Sequence, residues 1–149
     1  MSESKMVGTH SSASDLAFPV LTVTASGDME VVNDLEQLQT ANALAIRQGF
    51  FDNQRIIETS GDTYRVTGIR DKRSKGILLG FRFLKPRLYL VELNLEKEGN
   101  FSIEHVQKVA LKGIRRFSHF WEGNLEISEL ENRIRATKSL QELFHLLRQ

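Results

Sequence analysis

Leu88-Tyr89-Leu90-Val91-Glu92-Leu93-Asn94-Leu95-Glu96 alternates in a way only a strand accommodates. Tyr89, Val91, Leu93 and Leu95 fall on one side of an extended chain, and Glu92, Asn94 and Glu96 on the other, the period-two signature of one buried face. Past Glu98-Gly99-Asn100 the period changes. Ile103, Val106, Ala110, Ile114 and Phe117 recur every three or four residues, on one face of a helix that Ser102 is suited to cap.

N-terminal to this junction the strand pattern repeats. Val20–Ala25 and Met29–Asn33, separated by Ser26-Gly27-Asp28, predict a hairpin, with Pro19 suited to the first residue of an edge strand. Arg55–Thr59 and Thr63–Ile69 about Ser60-Gly61-Asp62 predict a second. Between them, Asp34 is placed to cap a helical turn with Gln37 as its capping-box partner. Thr40–Gln48 reads as a short helix capped by Thr40, with Gly49 at the left-handed position after it. Asp71–Gly76 reads as a charged loop, and Ile77–Phe83 as a strand or a bent segment broken by Gly80. On the C-terminal side, Ser128 with Glu131 and Ser139 with Glu142 have capping-box spacing. The first pair opens a helix carrying Leu130 and Ile134, the second one carrying Leu140, Leu143, Phe144 and Leu147.

Strands first and helices last predict an α+β fold: an antiparallel sheet of N-terminal hairpins with a short inserted helix, and C-terminal helices packed on one face. Residues 1–15, small and polar, read as a flexible N-terminal tail, and residues 16–149 as a single α+β domain. On this reading, removing residues 1–14 leaves the melting temperature nearly unchanged, whereas truncation at Lys138 unfolds the domain.

The chain has 149 residues, 40% apolar and 26% charged, with a net charge of +1, which is too apolar and too balanced for a disordered chain. No stretch reaches the roughly 18 apolar residues of a membrane span, and the first 14 residues hold no apolar run of signal-peptide length. A small cytoplasmic protein with no membrane partner is therefore expected. The absence of cysteine excludes disulfides, thiolate nucleophiles and Cys-ligated zinc.

No catalytic constellation emerges. Gly76 and Gly80 lack the Gly-Lys-Ser/Thr ending of a phosphate loop, and neither a nucleophile elbow nor a dinucleotide fingerprint occurs. His10, His105, His119 and His145 include no pair at helical metal-ligand spacing. Glu92 and Glu96 on one strand face are the nearest to an acid pair, and a solvated polar face accounts for them better. No catalytic residue, metal ligand or cofactor is assigned.

Charge is segregated. Asp15 to Asp62 carries eight acids against two bases, and Arg65 to Arg87 eight bases against Asp71 alone. Lys108, Lys112, Arg115 and Arg116 add a third, basic cluster. The blocks could pair across strands, or serve binding. Tyr64, Phe81 and Phe83 interleave with the central bases, a chemistry shared with nucleic-acid binding. Phe50-Phe51 and Phe117-x-x-Phe120-Trp121 supply aromatics of interface type, each accountable as core.

The sequence thus predicts a non-catalytic protein-binding module that neutralises or regulates a partner such as a toxin or enzyme, in the manner of an immunity protein or inhibitor. Its expected contact residues are Arg70, Lys72, Arg73, Lys75, Arg82, Arg87, Arg115 and Arg116. The alternatives are a nucleic-acid-binding accessory protein using residues 65–87 and a metal-dependent enzyme using the strand carboxylates.

Overall fold

Long, bulged strands shape the molecule. In the computed structural model, which describes residues 10–42, 49, 51–74, 88–123 and 125–148, β6 (Asp62–Ser74) runs antiparallel to β7 (Leu88–Asn100). Their register slips between Thr63 and Tyr64, between Val66 and Gly68, and between Ile69 and Asp71. Each bulge adds local twist, so the ribbon curls. The expected charged loop at Asp71–Gly76 is, over Asp71–Ser74, a continuation of β6, because β7 extends far enough to pair with it. Ile77–Phe83 lies outside the described residues.

The other strands are β1 (His10–Ser12), β2 (Val20–Val23), β3 (Met29–Val32), β4 (Thr40–Asn42) and β5 (Arg55–Glu58). All pair antiparallel in the order β1-β7-β6-β5-β2-β3, with β4 also on β7. Both predicted hairpins form. Gly27 and Gly61 take φ of +99° and +94° in their turns, conformations that a side chain resists. Three expectations give way. β2 lies between β3 and β5 rather than at an edge, and Pro19 precedes it, so its missing N–H costs the ladder nothing. Thr40–Asn42 is strand rather than helix, since pairing with Leu88–Leu90 overrides its local preference, and residues 43–48 lie outside the described set. The polar leader becomes structured by His10: β1 pairs with β7 and Ala13 is wholly buried, so deleting residues 1–14 removes part of the core.

Among the described residues there are five α-helices, three of them begun by a side-chain cap. α1 (Leu35–Gln39) starts at Asp34, whose Oδ1 accepts the Gln37 N–H at 2.8 Å, while Gln37 Oε1 accepts from Asn33, one residue earlier than a capping box requires. α2 (Ile103–Arg116) begins at Ser102, whose Oγ accepts from the His105 N–H at 3.1 Å. α3 (Ser118–Trp121) continues it after a break at Phe117. α4 (Ile127–Ala136) has Glu126 at its cap, so Ser128 lies inside the first turn and forms no capping box. α5 (Leu140–Leu147) is capped by Ser139, accepting from the Glu142 N–H at 3.1 Å.

Two cores flank the sheet. On one face, Leu21, Val23, Met29, Val31 and Ile57 meet α2, α4 and α5 through Val106, Ala110, Ile114, Leu130, Ile134, Leu143 and Phe144. Gln107 fastens this layer, its Nε2 donating to Ile134 O and to Thr137 O and Oγ1 at 2.9–3.0 Å. On the opposite face, Val20, Val32, Ile56, Val66, Val91, Leu93 and Leu95 pack with Ala13, Leu16, Leu38 and Phe51. The fold is the predicted α+β class, with helices on one face of an antiparallel sheet. Among the described residues no helix is long and apolar enough to cross a membrane.

Candidate functional site

The predicted contact residues divide between two layers. Arg70 occupies the bulge of β6 between Ile69 and Asp71, and Lys72 and Arg73 stand opposite Val91 and Leu90 in the ladder. Lys75, Arg82 and Arg87 lie outside the described residues. Arg115 and Arg116 belong to the helix layer, in the last turn of α2, where cations complement the helix dipole. Arg115 Nε is also bound to Glu131 Oε2 at 2.8 Å, which holds the Glu131 carboxyl below its usual range. Arg116 lies over the Phe117 ring at 5.9 Å.

Among the described residues, three cross-strand ion pairs form along the adjoining ribbon. Arg65 Nη2 meets Glu96 Oε1 at 2.7 Å, Arg55 meets Glu98 at 3.0 Å while lying 5.8 Å over Phe101, and Lys97 meets Asp62 at 3.5 Å. The Asp62 carboxyl is lowered chiefly by the Asn100 side-chain hydrogen bond, with Lys97 adding to it. The polar face of β7 therefore serves cross-strand pairing at Glu96, and among the described residues no group of three acidic or histidine side chains is placed to hold a metal ion. A shallow hollow of about 310 Å³ beside Arg55 and Arg65 is lined by guanidiniums already engaged.

The opposite end of the sheet differs. A cleft of about 660 Å³ lies along β3, walled by Met29, Val31, Phe120, Trp121 and Leu147 and rimmed by Asp28, Glu30 and Glu122 against Arg148. Phe120 is 69% exposed, and its ring meets the Trp121 indole edge-on at 5.7 Å. Trp121 is only 7% exposed, yet its Nε1–H has no hydrogen-bond acceptor. An unmet buried donor costs about 1–3 kcal/mol. The three-to-four spacing of the buried α2 stripe, carried past the break at Phe117, falls on Trp121, which is buried in α3, and passes Phe120, which is left in water.

β3 contributes main-chain groups as well. Thr24 N–H donates to Asp28 O at 2.8 Å, which makes 24/28 a hydrogen-bonded pair. Alternation then makes Thr22/Glu30 and Val20/Val32 bonded pairs and turns the N–H and C=O groups of Met29 and Val31 away from β2. Asn33, the next outward position, has its N–H taken by Gln37 Oε1 at 3.0 Å. Among the described residues no strand pairs with the outer edge at Met29 and Val31.

Sequence reasoning singled out Phe120 and Trp121 but could not separate them, since a core reading fitted both. It missed the acidic rim, whose members come from the first hairpin and from the end of α3. No protein-family model matches the chain, and no significant similarity was found to a curated protein or to a solved structure.

Proposed function

We propose that this chain is a non-catalytic module that binds a partner protein and neutralises or regulates it, as an immunity protein or inhibitor does. The observation carrying this reading is the largely exposed Phe120 ring set against a buried indole with an unmet N–H, at the mouth of a cleft. Aromatic anchors of this kind dominate binding energy at protein interfaces. Basic residues along Arg65–Arg87 then serve orientation and association rate more than affinity. The proposal sets this action in the cytoplasm, in keeping with a cysteine-free composition.

The test retrieves partners on the tagged full-length chain from native lysate, with and without nuclease, and measures the isolated partner against variants. A stoichiometric protein that survives nuclease and loses about 30-fold or more in affinity with Phe120→Ser supports the reading. Lys72→Glu with Arg73→Glu is expected to slow association and flatten its salt dependence. Recovery that collapses on nuclease treatment moves the assignment to nucleic acid and the basic segment. Retention of no macromolecule overturns the module.

A further inference from the structure

Resting on that reading, we infer that the partner is held by strand addition: an extended segment, with apolar residues alternating with Lys or Arg, pairs with the outer edge of β3. Three observations meet here. The Met29 and Val31 main-chain groups face outward with no strand beside them among the described residues, spaced as one more antiparallel strand requires. Side chains of an added strand alternate between faces. On the helix side they would enter the cleft against Phe120, Trp121 and Leu147. On the other side they would stand beside Glu30, which is exposed and faces away from Met29 and Val31.

Charge selects the occupant. Among the described residues, Asp28, Glu30 and Glu122 rim the cleft against Arg148, so cationic side chains flanking the apolar ones are favoured and acidic ones repelled. The indole N–H adds a donor that no group among the described residues satisfies. A displaced Phe120 ring would open it to a carbonyl of the incoming strand. Exposed edge strands otherwise invite unspecific pairing, and Glu30 at the centre of β3 guards against acidic or self-similar strands.

The experiment uses the full chain with two short synthetic peptides, one alternating lysine with valine and leucine, the other with glutamate in place of lysine. Amide hydrogen exchange at Met29 and Val31 and the emission of Trp121, the single tryptophan, are followed during titration. Strand addition predicts that the lysine peptide slows exchange at both amides by about tenfold or more, changes the Trp121 emission, and binds less well to Glu30→Lys. Preference for the glutamate peptide, binding without protection of those amides, or no binding at millimolar peptide overturns it. Protection that appears without peptide and rises with protein concentration also overturns it, in favour of a second copy on this edge. If any of these holds while Phe120→Ser still abolishes capture of the partner, strand addition fails and the binding module stands.

Discussion

At one end of the sheet, β5, β6 and β7 place cations opposite anions: Arg65 has Glu96, Arg55 has Glu98, Lys97 has Asp62. At the other end, β3 leaves main-chain groups unpaired, an aromatic ring in water and an indole N–H without an acceptor. The first end holds the most conspicuous feature of the sequence, its charge segregation, and Arg65 of that basic block is paired with Glu96. The second end is inconspicuous in sequence. On the proposed reading, unmet polar groups beside an exposed ring, more than abundance of charge, point to where a partner docks.

The largest expected contrast concerns stability. Phe144 is buried between α5 and the sheet, so Phe144→Ala should cost about 3–5 kcal/mol in denaturant unfolding. Phe120→Ser, a few residues from the same core, should change stability by less than about 0.5 kcal/mol, because its ring is already in water. A large loss there would mean that the ring supports the fold. Next in size is Gly113→Ala. A Cβ at Gly113 would come within 2.5 Å of Gly27 O, where α2 crosses the turn of the first hairpin, so the helix must lift from β3. About 1–3 kcal/mol is expected, together with a wider cleft, read by thermal melting and Trp121 emission.

At the ribbon, Arg65→Ala should cost no more than about 1 kcal/mol, since the Arg65–Glu96 pair is well exposed. The smallest effect is one of pH. The Asp62 and Glu131 carboxyls titrate lower in the folded chain than in the unfolded one, so between the two values the unfolded state holds more protons. Their contribution is present at neutral pH and fades as pH falls through the folded values. Arg115→Ala should remove the part that belongs to Glu131, flattening the acid limb of a melting-temperature profile.

Much of this fold was legible because local signals and packing agree. Val91, Leu93 and Leu95 are buried as their alternation requires, and Ser102, Ser139 and Asp34 all accept the N–H groups that their spacing predicts. The misreadings fall where a distant partner overrules a local preference. Thr40–Asn42 and Asp71–Ser74 became strand because β7 was long enough to pair with both, and nothing in either segment records the length of β7. His10–Ser12 is a third case on the same strand.

The site was legible only in part. Phe120 and Trp121 are adjacent aromatics that each read as core, and only the three-to-four period of α2, carried past the break at Phe117, sets the buried Trp121 apart from the exposed Phe120. The outward groups of Met29 and Val31 depend on the hydrogen-bond phase of the hairpin, which no side chain encodes. Arg115 and Arg116 show the converse. Their charge is plain in the sequence, while Glu131, which engages Arg115, becomes a neighbour only through the helix layer.

The decisive measurement is the affinity of the isolated partner protein for wild-type chain, Phe120→Ser and the Lys72→Glu/Arg73→Glu double variant, at low and high salt. Docking at the cleft predicts a loss of about 30-fold or more for Phe120→Ser at both salt concentrations, and a salt-dependent loss confined mainly to association for the double variant. Unchanged affinity of Phe120→Ser, with binding abolished by the double variant, would contradict it and return the interface to the basic ribbon.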